Sequence, residues 1–383
     1  MVFSETFVEG KALENFLMGF RSGATMESYL KKLRAFIEWS GIPADEIIAI
    51  ASSEPRRLER MLLEYAEMLK IRGASGSTIR QSIQAVKHLL VMNDLENSLG
   101  WGKLSKMMPR ARKVGLDRAP TKDEIRRLLE HADVRMRSLI LLLASSGIRV
   151  GSVEHLKWRH VSEVVYGGYR FAKLVVPVSK GDAEAYLTFM TPEAYEALLD
   201  YRRLRESEGE HVTPDSPLIR VSKWSRTYEK GAPLPVSSKS LRNEIERLWI
   251  RAGVRSKGRK RHEFQMVHGF RKFFATRLEN AGVGRLLVEI LLGHKVSLAS
   301  SYYKPDEKEL MQAYAKAIPD LTLSEAAEAR NEMQKRVMES NLKIAELERE
   351  NIALQRKLEI FEEELKRLKD LVAKLTNSRR RKK

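Results

Sequence analysis

The 383-residue chain contains no cysteine, which excludes disulfides, thiolate catalysis and cysteine-ligated zinc together. No apolar run approaches the roughly 20 residues that span a bilayer, and nothing at the N-terminus resembles a signal peptide. Acidic residues are in deficit: 51 Asp and Glu face 69 Lys and Arg, a formal charge of +18. That excess calls for a polyanionic partner, either nucleic acid or an anionic membrane surface, and the missing span puts the membrane second. A cytoplasmic protein facing nucleic acid, with no membrane partner, is the expectation. The hydrophobic fraction of 43% suffices for packed cores, and the length calls for two or three domains.

Three apolar stripes of helical period occupy the first hundred residues. Thr25 to Trp39 carries Met26, Tyr29, Leu30, Leu33, Phe36 and Ile37, and stops at Gly41 and Pro43. Arg57 to Ile71 repeats the pattern with Leu58, Met61, Leu62, Tyr65 and Leu69, and Ser77 opens a third segment with Ile79, Ile83, Val86, Leu89 and Leu90. Between the stripes lie Lys31, Lys32, Arg34, Arg80 and Lys87. Charge runs are usually solvated helix faces, but the overall basicity favours a phosphate-contacting surface here. His88, on the third segment, reads as structural or DNA-facing.

From Pro109 to Pro120 the periodicity lapses and basic residues accumulate, among them Arg112, Lys113 and Arg118, which reads as a linker. Thr121 with Glu124 then forms a capping-box signature ahead of Ile125, Leu128 and Leu129. An apolar helix follows from Ser138 to Ser145 and ends at Gly147. Residues 161–189 alternate as strands: Val161 to Tyr166, a Gly167-Gly168 turn, Tyr169 to Val178, a turn over Ser179-Lys180-Gly181-Asp182, and Ala185 to Phe189. Pro192 restarts helices, and Arg202 to Pro235 is weakly patterned and reads as loop. A basic segment containing Arg255, Arg259, Lys260 and Arg261 reads as DNA contact. The fold class is mainly α with a small β-hairpin or three-stranded sheet (α+β). It divides into a helical domain (1–112), a linker (113–120), a second domain (121–320) and a C-terminal segment (321–383).

That last segment is a heptad repeat. Val337, Ile344, Asn351, Leu358, Leu365 and Val372 fall at position a; Leu347, Leu354, Phe361, Leu368 and Leu375 fall at d, with Ser340 polar in that column. Asn351 at an a position selects a parallel, in-register dimer, and Lys343–Glu348, Lys357–Glu362 and Glu364–Lys369 would pair attractively between chains. The expectation is a parallel homodimer through a coiled coil, followed by a basic tail, Arg379 to Lys383, too charged to fold.

The chemistry-bearing residues cluster late. His268 and Arg271 lie in Val267-His268-Gly269-Phe270-Arg271, followed by Leu292-Gly293-His294 and the pair Tyr302-Tyr303. Transfer of a phosphodiester needs a nucleophile, cations on the nonbridging oxygens and a proton donor for the leaving oxygen. A tyrosine suits the first role, because its phosphodiester keeps the bond energy for a reversing transfer. Guanidinium suits the second, because its planar fork binds two phosphate oxygens. Arg149, in Gly147-Ile148-Arg149, is the second arginine candidate, and Lys180, in the turn between two strands, is a proton-donor candidate. His131, His155, His160, His211 and His262 lack metal-ligand spacing and read as surface or structural.

The ordered set Gly-x-Arg, hairpin Lys-Gly, His-x-x-Arg, Leu-Gly-His and Tyr resembles the tyrosine recombinase family, of the phage-integrase and Xer type, from about Thr25 to Ile318. The resemblance implies that Arg149 and Arg271 bind a scissile phosphate, that His268 gives acid/base and phosphate support, and that His294 hydrogen-bonds the transition state. Lys180 would protonate the leaving 5′ oxygen. The nucleophile usually lies nine residues after the Gly-His histidine, which is Tyr303, with Tyr302 its neighbour. The resemblance further implies a 3′-phosphotyrosyl intermediate, no cofactor (neither metal nor ATP), double-stranded DNA attachment sites as partners, and a tetramer on paired sites. Archaeal plasmid and virus integrases are the subgroup most similar in composition and Tyr-Tyr-Lys-Pro context, which implies integration or excision of a mobile element. Two features depart from the family: Ser152 stands where an acidic residue is usual, with Glu154 two positions further, and a long coiled coil follows the tyrosine. An Xer-like dimer resolvase is the alternative within the chemistry. A non-catalytic DNA-binding protein dimerised by its zipper is the alternative outside it, although binding alone does not require a phenol beside two arginines.

Overall fold

The computed structural model describes residues 10–108, 117–177, 185–228, 233–256, 263–294 and 304–380, in two compact units, 1–114 and 115–383. Unit one holds helices α1 (Lys11–Met18), α2 (Gly23–Ser40), α3 (Ala44–Ser53), α4 (Pro55–Ile71), α5 (Gly76–Val91) and α6 (Trp101–Met107). The three stripes bury their central residues, Leu33 and Phe36 on α2, Leu58, Leu62 and Tyr65 on α4, and Ile79, Ile83, Val86, Leu89 and Leu90 on α5. Helices α1, α3 and α6 run 8, 10 and 7 residues, too short for a repeating stripe at 3.6 residues per turn, so periodicity does not reveal them.

His88 is structural. Its ring packs among Phe16, Phe20 and Tyr29, with centroids 5.1, 4.4 and 5.6 Å away, and its Nε2 is buried without a hydrogen-bond partner. Burial pushes its pKa below the ordinary histidine value.

Unit two opens with α7 (Lys122–Glu130), α8 (Val134–Ser146), α9 (Val150–Val153) and a 3-10 turn over Trp158–His160. Strands β1 (Val161–Tyr166), β2 (Tyr169–Val176) and β3 (Tyr186–Met190) form one antiparallel sheet in the order β1-β2-β3. The register runs from Val161↔Leu174 to Tyr166↔Tyr169 across the first pair, and from Ala172↔Met190 to Val176↔Tyr186 across the second. Helices α10 (Pro192–Ser207), α11 (Ser238–Arg251), α12 (His268–Asn280), α13 (Arg285–Leu291), α14 (Glu307–Leu321) and α15 (Glu325–Arg380) complete the unit. The capping box forms as read: Thr121 Oγ1 accepts from Glu124 N, and Glu124 accepts from Thr121 N at 2.7 Å. Leu139 to Ala144 on α8 are all buried, because α8 is the central helix, packed against α10, α12 and β3. Tyr314 on α14 donates its hydroxyl to Ser145 O at 2.8 Å and packs on Phe171, Phe189 and Phe274.

Two expectations are corrected, and the partners of one linker-region arginine are placed. The weakly patterned stretch from Arg202 begins as helix, since α10 runs to Ser207. Its register is held by charge: fully buried Arg205 donates to Glu210 and to Pro217 O (2.7 Å), and Arg220 donates to the same Glu210 (2.8 Å). An ion-pair core leaves no apolar stripe to read. Arg118, grouped above with linker basics, is tied to Glu124 (2.6 and 2.7 Å) and Glu263 (2.9 Å), which hold its pKa above the ordinary arginine value. Finally, α15 continues through Arg379 and Arg380, past the point where the charged tail was expected to end the fold.

The start of α15 is fastened to the unit by Asn331, which donates to Thr322 Oγ1 at 3.2 Å, and by Glu328, which accepts from Lys122 at 3.1 Å. Further along, Val337, Ile344, Leu347, Leu354, Leu358, Phe361, Leu365 and Leu368 are each at least 50% exposed. Among the described residues no helix is long and apolar enough to cross a membrane.

The buried imidazole makes unit one acid-sensitive. Above about pH 6.5 His88 is neutral in both folded and unfolded chains; below it the unfolded chain takes up the proton first, so stability falls until pH passes the lower folded value. In calorimetry the transition of residues 1–114 is expected to shift to lower temperature between pH 7 and pH 5, and His88→Phe to remove most of that shift. An equal shift in the variant would contradict the assignment.

Candidate active site

Two chain reversals build the site. At the end of α8 the chain turns at Gly147, whose φ of 63° is left-handed and whose position leaves no room for a side chain: a Cβ there would lie 2.4 Å from Phe274 Cδ1 and 3.0 Å from Leu292 Cδ2. The turn buries Ile148 and presents Arg149, the N-cap of α9, as an exposed side chain. At the end of α13, Gly293 N donates to Ile290 O (2.8 Å) and His294 N to Glu289 O (3.0 Å), the paired 5→2 and 6→1 bonds of a Schellman cap. That cap folds His294 back over its own helix, and His294 Nδ1 meets the Glu289 carboxylate.

Arg271 joins both reversals. It is only 4% exposed; Nη1 donates to Gly147 O at 2.7 Å, and Nη2 donates to Leu292 O at 2.5 Å and contacts His294 Nε2 at 2.7 Å. The two carbonyls belong to the C-terminal ends of α8 and α13, where helix carbonyls lack partners and a cation is favoured. Both ring nitrogens of His294 thus have a charged partner, Nδ1 the Glu289 carboxylate and Nε2 the Arg271 guanidinium.

His268 opens α12 and lies one turn before Arg271, so both share a helix face. Burial lowers its pKa first, and the Lys272, Arg271 and Arg149 charges push the same way against an opposing Asp117. Lys272 is itself anchored to Asp117, donating to its carbonyl at 2.6 Å and pairing with its carboxylate. Arg149, His268 and Arg271 line one cavity of about 840 Å³. Burial, and after it the Arg149 charge, disfavours a proton on Arg271, yet guanidinium stays charged. Among the described residues no carboxylate forms an ion pair with Arg149 or Arg271. Two cations facing one cavity without neutralisation describe a site for an anion.

Of the seven catalytic candidates, counting Tyr302, the structure brings together Arg149, His268, Arg271 and His294. Lys180, Tyr303 and Tyr302 lie outside the described residues, as do Arg112, Lys113, Arg259, Lys260, Arg261 and His262. Glu289 was missed, though its place five residues before the histidine of the Gly-His pair is a readable signal. Tyr186 was missed with no signal available: its ring lies against Gly293, and its hydroxyl is buried beside the Arg271 guanidinium. Burial raises its pKa while the Arg271 and Arg149 charges oppose the rise. Glu154 does not reach Arg149; its carboxylate accepts from Ser238 N at 3.2 Å, and Ser152 is buried. In unit one, Lys31 and Arg80 are exposed, Lys32 bridges α2 to α5 by donating to Gln81 (2.5 Å), and Arg34 is half-buried. Lys87 lies over the Trp101 ring (5.3 Å) and, with Arg80, lines a cavity of about 250 Å³. Among the described residues no His, Asp and Glu cluster could hold a metal ion.

Residues 119–309 match the model of the phage integrase family. A tyrosine recombinase XerC from Leptospira interrogans serogroup Icterohaemorrhagiae serovar copenhageni is 24% identical over 304 residues, 77% of this chain and 87% of that protein. Among solved structures, a XerA recombinase is 22% identical over 80% of this chain and 97% of that one, with a TM-score of 0.37. A lambda integrase (residues 75–356) dimer bound to a COC′ core site is 18% identical over 77% of this chain and 94% of that one, with a TM-score of 0.49.

The reversal at Gly147 offers a direct test of the packing. Gly282 is also left-handed (φ 77°), but a methyl group added there would meet nothing within 4 Å. Gly282→Ala is expected to cost about 1–2 kcal/mol from backbone strain alone, and Gly147→Ala a further ~1–3 kcal/mol from overpacking. Equal losses in denaturant unfolding would show that the Phe274 contact relaxes freely.

Proposed function

We propose, for a chain that belongs to the phage integrase family through its residues 119–309, that Arg149 and Arg271 hold the scissile phosphate of duplex DNA while Tyr303 attacks it. The chain is a site-specific tyrosine recombinase, an enzyme that cleaves and rejoins DNA strands. The observation that carries the site assignment is the pair of guanidiniums facing one cavity with no carboxylate partner.

In this reading the Tyr303 oxygen attacks phosphorus, the bond to the 5′ oxygen breaks, and that oxygen takes its proton from Lys180. A 3′-phosphotyrosyl bond results, and a 5′-hydroxyl reverses the step to rejoin a strand. Because the covalent bond conserves the energy of the phosphodiester, rejoining draws on no ATP. Arg149 and Arg271 stabilise the charge that gathers on the nonbridging oxygens. His268, with its pKa lowered, is suited to accept a proton near neutral pH and supports the phosphate. His294 supports the phosphate from beside Arg271, with Glu289 steadying the ring at Nδ1. Tyr302 is the less favoured nucleophile.

Residues 1–112 form a DNA-binding unit, in which Lys31, Lys32, Arg34, Arg80 and Lys87 contact phosphates; Arg112, Lys113, Arg259, Lys260 and Arg261 add to that surface. Residues 113–120 link it to the catalytic domain, 121–320. Residues 321–383 carry the zipper, supported by the exposed apolar row on α15, since such a stripe is stable in water only when covered. A parallel dimer through this helix, and a tetramer on paired attachment sites, would integrate or excise a mobile element of archaeal plasmid or virus type in the cytoplasm.

A nicked suicide DNA substrate tests the chemistry. Wild type and Tyr302→Phe are expected to form an SDS-stable protein–DNA adduct, and Tyr303→Phe none. An adduct persisting in both variants reassigns the nucleophile; none from wild type on its cognate site removes the enzyme reading. Deleting residues 342–383, beyond the part of α15 fastened to the unit, is expected to halve the mass measured by light scattering without DNA. An unchanged mass rejects the zipper.

A further inference from the structure

The cavity holding Arg149, His268 and Arg271 is larger than a single phosphate requires. Its volume of about 840 Å³ falls in the range of pockets that enclose whole small ligands, roughly 300–1,000 Å³. The rest of its lining includes Arg242 from α11 and Arg255 from the segment after it. Four guanidiniums therefore face one space with a single carboxylate among its lining residues, Glu154, which is engaged by Ser238 N.

Neither Arg242 nor Arg255 forms an ion pair among the described residues. The Arg255 Nε is buried and makes no hydrogen bond, a state that is costly unless an acceptor arrives. Its guanidinium lies over the Phe264 ring, 5.9 Å from the centroid, a stacking contact that orients the planar group. Burial lowers its pKa and Glu246 opposes this from nearby without pairing. The mechanism above uses neither arginine. A DNA strand carries a phosphate at every nucleotide, about 3.4 Å apart along the axis, so a strand seated at Arg149 and Arg271 brings further phosphates with it.

We infer that Arg242 and Arg255 form a second phosphate subsite, which takes a phosphate adjacent to the scissile one on the same strand. The inference rests on the recombinase site proposed above. The subsite positions the strand along the cavity; it makes and breaks no bond.

The test uses full-length protein and the suicide duplex, with one phosphate at a time next to the scissile position replaced by a charge-neutral methylphosphonate. Arg242→Gln and Arg255→Met are each expected to weaken binding of unmodified DNA about tenfold and to lower the salt slope by about one. The methylphosphonate at the matching phosphate is expected to weaken wild type to the same degree, with no further loss when variant and substitution are combined. Arg242 is exposed, so its variant keeps the test valid if Arg255→Met fails to fold. Losses that simply add at every flanking phosphate overturn the subsite. An adduct that forms normally while the losses add would sink this inference alone, whereas a wild type without adduct removes the reading beneath it.

Discussion

The site depends on one buried guanidinium. Arg271 is nearly sealed from water, and carbonyls at the ends of two helices, together with one imidazole, hold it there. Helix C-termini carry unpaired carbonyls and partial negative charge, so this cation satisfies two helices at once while its charge stays formally uncompensated. Remove it and α8, α12 and α13 lose their common tie, and the Gly147 and Gly293 reversals lose the group they converge on. Structure and reactivity are therefore joined in one side chain: the dipoles that make its burial tolerable leave its positive charge available to an anion.

Arg149 supplies the complementary half. It stands exposed across the same cavity, and its charge adds to the cost of keeping Arg271 protonated. Elsewhere in unit two some buried or half-buried arginines are neutralised: Arg118 by Glu124 and Glu263, Arg205 and Arg220 by Glu210. Those pairs hold the fold, whereas Arg149 and Arg271 line a cavity without a carboxylate partner among the described residues. Arg242 and Arg255 line the same cavity, equally without ion pairs among the described residues, and the Arg255 Nε is buried without a hydrogen bond.

Much was legible from residue order. The β1-β2 hairpin and its turn, the Thr121 capping box, the end of α8 at Gly147 and the stripes of α2, α4 and α5 follow from local rules of periodicity, capping and turn chemistry, and they stand where those rules put them. Short helices with no repeating stripe did not yield to the same rules. Neither did the Arg205–Glu210–Arg220 core, where charge replaces hydrophobic pattern. Helix α11 was legible in principle, since Leu241, Ile245, Leu248 and Trp249 repeat at helical spacing and are buried, but its dense charge masked the stripe.

By itself the sequence determined which groups the chain can offer, because residue type fixes what a group can do: guanidiniums can bind phosphate, imidazoles can carry protons, and no thiol is present anywhere. It also determined Gly147 as a turning point next to the arginine it presents, while the reversal at Gly293 emerged from the structure. Only the tertiary structure decided which charges remain free. Whether an arginine meets a carboxylate depends on contacts such as Arg118 with Glu263, 145 residues apart, or Arg271 with Gly147, 124 apart. Glu289 steadies His294, Glu154 serves α11 instead of Arg149, and Tyr186 lies against Gly293 for the same reason: long-range packing assigns partners that no local pattern encodes.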